Sequence, residues 1–160
     1  MPLEIAEIVD LPQSLERAQA HAADEGLPYA GGVRPREAWQ LVQAGQAVLV
    51  DVRSGEERKF VGLVPGSLHV PWATGTSLTR NPRFVRELEA RLASEGGKDA
   101  VALLLCCSGM RAVLAAEAAA KAGFSHIFVV FEGFEGALDE RRQRGHADGW
   151  RYHGLPWVQD

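Results

Sequence analysis

Two adjacent cysteines lie where a buried strand would end and a helix would begin. The apolar run Ala100–Leu105 leads directly into Cys106, Cys107, Ser108, Gly109, Met110 and Arg111. The alanine-rich segment after this loop predicts a helix that reaches Ala122 and ends at Gly123. The amides of such a loop and the positive end of the helix macrodipole both stabilise negative charge. We therefore expect Cys106 to be a nucleophilic thiolate.

The residues after Cys106 favour this interpretation over a structural one. A single cysteine at the end of an apolar strand is more often a small core residue. An inert core position, however, does not need a polar turn that contains Ser108, Gly109 and Arg111. The guanidinium of Arg111 is always charged, so it can either brace the loop carbonyls or attract an anionic substrate.

Cys107 has two interpretations, and both stay open at this point. In the first it is a small residue tolerated beside the nucleophile. In the second it is a redox partner that attacks a persulfide or sulfenate on Cys106, although a disulfide between adjacent residues is strained.

Strands and helices alternate along the chain and must position the cysteine loop. Apolar segments predict strands at Ala47–Val52, Ser67–Val70, Ala100–Leu105 and Ile127–Phe131. Helical spacing predicts helices over Ser14–Glu25 with Ser14 as the cap, from Pro35 to Ala44, over Gly55–Val61, over Pro82–Ser94 and after the loop. Because apolar strands need cover on two sides, we predict an α/β fold with an open, mostly parallel sheet and helices on both faces. Asp51, Arg53 and Cys106 then share the sheet edge where ligands collect.

Composition indicates one globular domain over residues 1–160 and excludes several function classes. Of the 160 residues, 46% are hydrophobic and 24% are charged, with a formal net charge of -4. This negative charge argues against nucleic acid as a partner. No apolar run approaches the ~20 residues that a membrane span needs. Met1–Asp10 lacks the basic and apolar regions of an export signal, so we expect a cytoplasmic protein without a membrane partner.

No cofactor or metal is expected. The five histidines have no ligand spacing to one another or to the cysteines. Gly31-Gly32 lacks the G-x-G-x-x-G spacing of a dinucleotide-binding turn.

Three ordered motifs resemble a known family. The loop Cys106–Arg111 is similar to the C-R-S-G-x-R active-site loop of single-domain rhodanese-type sulfurtransferases. The family's D-V-R, E and G-H-I-P-G-A signature resembles Leu49–Arg53, Glu57 and Gly62–Ser67 of this chain. Glu132-Gly133 stands where the family commonly has G-G. The resemblance covers a core at residues 33–138. An N-terminal helical extension at 1–32 and a C-terminal surface tail at 139–160 lie outside it.

The resemblance implies a sulfurtransferase in which Cys106 carries a persulfide. The donor would be a small sulfane compound such as thiosulfate or a persulfide, and the acceptor cyanide, a small thiol or a protein thiol, with no cofactor. The loop amides of Cys107, Ser108, Gly109, Met110 and Arg111 would cradle the negative sulfur, and the Ser108 hydroxyl would add a donor. Asp51 and Arg53 would hold the site together, or they would simply pair with each other or with loop amides.

The loop departs from the family pattern by losing positive charge. Cys107 replaces a frequent arginine, and Met110 replaces a frequently polar or basic residue. Outside the loop, Leu63 replaces a histidine of the G-H-I-P-G motif, which removes a polar group from that turn. Each missing cation removes on the order of 1 kcal/mol of binding for a dianion, so thiosulfate should be a poor donor.

Two rival functions share the reactive cysteine. A cysteine phosphatase or arsenate reductase uses a C-x5-R loop, whereas only four residues separate Cys106 from Arg111. A non-catalytic persulfide carrier or interaction module would keep the fold and the cysteine but lack turnover.

Overall fold

The computed structural model describes residues 12–159 as a layered α/β fold, so the predictions for Met1–Asp10 lie outside the described residues. The helices are α1 Gln13–Glu25, α2 Pro35–Gln43, α3 Gly55–Phe60, α4 Phe84–Leu92 and α5 Met110–Lys121. The strands are β1 Gly31–Val33, β2 Val48–Asp51, β3 Leu68–His69, β4 Ala73–Thr74, β5 Thr79–Arg80, β6 Val101–Leu105 and β7 His126–Val130. Two 3-10 turns, Ala93–Glu95 and Gly97–Asp99, join α4 to β6.

Five strands form one sheet in the order β1-β7-β6-β2-β3, and all of their pairings are parallel. The short strands β4 and β5 make a separate antiparallel pair. Asp51 is in register with Leu105 of β6 and with His69 of β3, so three strands end at one edge. The predicted α/β fold with a mostly parallel sheet is confirmed.

Alternate residues of the central strand β6 enter two separate cores. Leu104 belongs to a core that also contains buried residues of α4 and α5, whereas Leu103 and Leu105 belong to a core with residues of α1 and α2. Successive side chains of a strand point to opposite faces, so both faces of the sheet are covered by helices. The helices on both faces bury β6 and thereby fix the position of Cys106, which follows its last residue.

Two details near the N-terminus differ from the prediction. Helix α1 begins at Gln13 after Pro12, without a side-chain cap, so the predicted capping role of Ser14 is wrong. The edge strand β1 was not predicted, because its glycines carry no apolar pattern. These glycines let neighbouring groups pack directly against the strand backbone. A Cβ on Gly32, for example, would overlap the ring of Phe131.

The C-terminal segment is fastened to the domain by aromatic residues. Trp150 is fully buried in the core beneath α1 and α2, and its Nε1–H donates to the carbonyl of Pro156 at 2.9 Å. Leu63 and Val158 form an antiparallel bridge. Trp150 therefore lies deeper than the predicted surface tail implies. No helix within residues 12–159 is both long and apolar enough to cross a membrane.

Candidate active site

The sulfur of Cys106 lies at the end of β6 and at the start of α5. The residue is 1% exposed, and its Sγ accepts hydrogen bonds from the amides of Gly109 at 3.0 Å and Ala112 at 3.3 Å. Gly109 has φ 115°, a conformation that is strained for any residue with a side chain. The glycine allows the loop to turn into α5, so the helix macrodipole and two amides face the same sulfur.

The amide donors agree only in part with those predicted. Of the five residues expected to cradle the sulfur, Cys107 to Arg111, Gly109 supplies a donor to Sγ. The second donor, Ala112, belongs to the first turn of α5 and was missed. Its signal was the predicted helix start, because the first four amides of a helix lack intrahelical partners.

Arg111 neither braces the loop carbonyls nor stands free for an anion. Its Nη1 and Nη2 donate to the two carboxylate oxygens of Glu57 at 2.6 and 2.8 Å. These bonds raise the pKa of Arg111. Burial alone would raise the pKa of Glu57, but the bonds from Arg111 and Ser54 outweigh it and lower that pKa. The loop guanidinium is therefore neutralised by a carboxylate from a different segment.

A capping box holds Glu57 in place for this contact. The Ser54 amide donates to Glu57 Oε1 at 3.1 Å, and the Glu57 amide donates to Ser54 Oγ at 3.2 Å. The reciprocal bonds satisfy orphan amides at the start of α3 and fix the carboxylate orientation. Helix α3 thereby anchors the cysteine loop through Arg111.

We expect Glu57→Gln to lower the free energy of unfolding by about 1 to 3 kcal/mol at neutral pH, because it leaves a half-buried guanidinium without its charged partner. The folded-state pKa of Glu57 is lowered, so its stabilisation is complete above the ordinary carboxyl pKa and is lost as pH falls through the lowered value. The difference in free energy of unfolding between the wild type and Glu57→Gln should therefore become smaller in acid. Urea unfolding at a series of pH values measures it, with exposed Glu56→Gln as the control. Equal effects of the two substitutions would contradict the prediction.

Asp51 and Arg53 form a fully buried ion pair next to the site. Arg53 Nε lies 3.0 Å from Asp51 Oδ1, and Nη2 lies 2.8 Å from Oδ2. The same Nη2 donates to the Gly62 carbonyl at 2.7 Å, and the guanidinium stacks on the Phe134 ring at 4.2 Å. Arg58 also contacts Asp51, at 3.0 Å. The two predicted residues pair with each other and reach the cysteine loop through Phe134.

The turn after β7 supports the loop from below. The amide of Phe134 donates to the Cys106 carbonyl at 2.7 Å, and the amide of Glu135 donates to the Cys107 carbonyl at 2.9 Å. A Cβ on Gly133, whose φ is 72°, would overlap both of these carbonyls. Only glycine at position 133 lets this turn pack against the backbone of the cysteine loop, which gives a physical reason for glycine in this motif.

The surroundings of Cys107 favour the neutral thiol over the thiolate. Its Sγ donates to Glu135 Oε2 at 3.2 Å. Burial, and then the charge and hydrogen bond of Glu135, raise the pKa of Cys107 to about 12. Cys107, Glu57 and Glu135 bring their ligand atoms within 4.8 Å of one another. A cation could bind these three only if Cys107 lost its proton and Arg111 left Glu57, and the contacts oppose both changes.

We expect Glu135→Gln to lower the pKa of Cys107 and to speed its alkylation about tenfold at mildly alkaline pH, the equivalent of one pKa unit. The reason is that the amide removes the negative charge that disfavours the thiolate. Iodoacetamide labelling of Cys107 in a Cys106→Ser background measures the rate. Glu132→Gln, which changes another carboxylate of the same turn, is the control. An unchanged rate in Glu135→Gln would contradict this account of Cys107.

Comparison with known proteins assigns this arrangement to a family. The Rhodanese-like domain family matches residues 34–140. The chain belongs to this family. The crystal structure of Rv0390 from M. tuberculosis is 40% identical, with a TM-score of 0.70, over 82% of this chain and 99% of that one. The resemblance inferred from the three motifs is thus confirmed.

Other members differ from this rhodanese-like chain in length. The chloroplastic rhodanese-like domain-containing protein 11 of Arabidopsis thaliana is 27% identical over 85% of this chain, which spans about half of that relative (54%). A thiosulfate sulfurtransferase from Pseudomonas aeruginosa shares the fold, with 16% identity and a TM-score of 0.57 over 91% of this chain and 23% of that one. At this identity the likeness concerns the fold alone.

Proposed function

We propose that this rhodanese-like domain is a sulfurtransferase that carries a sulfane sulfur on Cys106. The observation that supports this most is the Cys106 Sγ, which receives two amide hydrogen bonds at the start of α5. Such an environment favours a sulfur anion, and both the thiolate and the persulfide are anions. Because both amides bind Sγ itself, they would stabilise the thiolate that attacks the donor and the same thiolate when the acceptor releases it.

The reaction follows from thiolate chemistry in two steps. The Cys106 thiolate attacks the outer sulfur of a donor, the donor S–S bond breaks, and the donor leaves with its electron pair, as sulfite does from thiosulfate. A cyanide or thiolate acceptor then attacks the outer sulfur of the persulfide. The Cys106–sulfur bond breaks and its electrons return to Cys106, giving thiocyanate or a new persulfide. Neither step draws on a metal or an organic cofactor.

A thiosulfate and cyanide assay tests the proposal. We expect thiocyanate release above the uncatalysed rate, but slow turnover, because Arg111 is already neutralised by Glu57 and offers little attraction to a dianion. The alternative of a persulfide carrier is supported by this same neutralised loop. It predicts stable sulfur on Cys106 with no thiocyanate release.

The phosphatase and arsenate reductase alternatives receive less support. Such enzymes rely on a loop arginine that binds the tetrahedral oxyanion. Here both terminal nitrogens of Arg111 are bonded to Glu57, and only four residues separate Arg111 from Cys106. We also propose a cytoplasmic location, where thiols stay reduced, because a reactive cysteine and a second free cysteine lie side by side.

A further inference from the structure

A small apolar cleft lies beside the cysteine loop. It has a volume of about 200 Å³ between the start of α5 and the end of β7. Gly109, whose amide binds the Cys106 sulfur, forms part of its wall together with Ser108. Its apolar lining includes Tyr29, Val113 and Phe131. The cleft is smaller than the ~300 Å³ at which pockets begin to hold drug-sized ligands, so it suits a small organic group.

The mouth of this cleft is apolar as well. Met110 is 77% exposed and Phe131 is 45% exposed, and both line the cleft, so they lie where the cleft meets solvent. Two exposed apolar side chains that line one cleft beside a reactive group favour an apolar occupant of that cleft. Neither side chain belongs to the two cores of the domain.

The cleft also has no cation to attract an anionic ligand. Among the described residues that line it there is no lysine or arginine, and Glu132 is its one charged residue. That carboxylate is bound to His153 Nε2 at 2.7 Å and to the Gly149 amide at 2.9 Å. Arg111, the guanidinium of the loop, is occupied by Glu57. A multiply charged anion would therefore lose its hydration here without gaining an ion pair.

We infer that this cleft binds the organic part of the sulfur substrate, so that the enzyme exchanges sulfur with small thiols and persulfides that carry an uncharged, apolar substituent. The inference rests on the proposed function and names its substrate class. It assigns Met110 and Val113 a role in specificity, because one forms the mouth of the cleft and the other its wall.

The exchange is balanced without any further reactant. With the apolar group of a thiol in the cleft, its thiolate attacks the outer sulfur of the Cys106 persulfide. A new S–S bond forms in the product persulfide, the Cys106–sulfur bond breaks, and Cys106 takes the electron pair. The reverse reaction loads Cys106 from an apolar persulfide and releases the thiol.

The test compares two acceptor thiols of similar size on the full chain. Cys106 is first loaded from inorganic polysulfide, which has no organic part to enter the cleft. The loaded protein is then mixed with phenylmethanethiol or with mercaptosuccinate, and intact mass spectrometry follows the loss of the added sulfur. Rates are compared per thiolate. We expect phenylmethanethiol to be about tenfold faster, which corresponds to burying part of its ring.

Two substitutions assign this preference to the cleft. Met110→Lys adds a cation at the mouth of the cleft. It should raise the rate of sulfur transfer to mercaptosuccinate about fivefold, the gain expected from one exposed charge pair. Leu138→Lys adds the same charge at a half-exposed residue outside the cleft and is the matched control. Val113→Phe fills the cleft and should slow transfer to phenylmethanethiol about tenfold more than transfer to mercaptosuccinate. Met110 is exposed, so its variant remains informative if Val113→Phe does not fold.

The outcomes separate the inference from the proposed function. If Cys106 takes up no sulfur from polysulfide, both are overturned. If Cys106 is loaded but the two thiols react at equal rates, the cleft inference alone is wrong. Equal effects of Met110→Lys and Leu138→Lys would likewise overturn it and leave the transferase proposal standing.

Discussion

Replacing Asp51 by asparagine is expected to lower the free energy of unfolding by about 3 to 5 kcal/mol, because it leaves the Arg53 charge buried without its counter-charge. Both side chains are fully buried, and Arg53 makes three contacts to the Asp51 carboxylate. Its remaining partners, the Gly62 carbonyl and the Phe134 ring, do not neutralise it. Denaturation in urea, monitored by tryptophan fluorescence, measures the loss.

Two controls make this result specific to the ion pair. Asp24→Asn changes an exposed aspartate on α1 and should shift stability by less than about 0.5 kcal/mol. The double variant Asp51→Asn with Arg53→Met removes the stranded charge and should recover part of the loss. A single Asp51→Asn variant as stable as Asp24→Asn would show that the pair does not support the fold.

Replacing Cys106 by serine is expected to reduce sulfur transfer by at least about a thousandfold, as loss of a nucleophile does in covalent catalysis. A serine hydroxyl in the same place keeps the two amide donors but cannot hold a sulfane sulfur. Thiocyanate release from thiosulfate and cyanide, or sulfur transfer between thiols, measures the loss.

Cys107→Ser is the matched control for this experiment. Cys107 is bonded to Glu135 and stays protonated, so its replacement should leave transfer within about threefold, the scatter of a conservative change. Full activity in Cys106→Ser, or equal loss in both variants, would contradict the assignment of the nucleophile. The redox hypothesis for Cys107 predicts instead that Cys107→Ser changes the lifetime of the persulfide.

The sequence predicted those parts of the molecule that depend on local pattern. The apolar run before Cys106, the glycine at 109 and the alanines after it are consecutive, so strand, turn and helix could all be inferred from neighbours. The parallel sheet followed from apolar strands that need cover on both faces. Strand β1 was missed because Gly31 and Gly32 carry no apolar side chain, and the Ala18 and Phe131 atoms that require glycine there come from other elements.

The parts of the site that were missed depend on contacts between distant segments. Arg111 and Glu57 are 54 positions apart, and Cys107 and Glu135 are 28 apart, so their pairing is a property of the folded sheet edge. The Ala112 amide was not predicted as a donor for another reason. A backbone donor belongs to every residue but proline, and only the position of the helix start makes this one face a sulfur.

Peptide-mapped mass spectrometry of the protein after exposure to thiosulfate, to inorganic polysulfide and to an apolar persulfide tests whether Cys106 carries the transferred sulfur. We expect a gain of one sulfur atom on Cys106, largest with the apolar persulfide and absent in Cys106→Ser. A protein that gains no sulfur from any of the three donors, or that gains it on Cys107, would contradict the proposed role of Cys106.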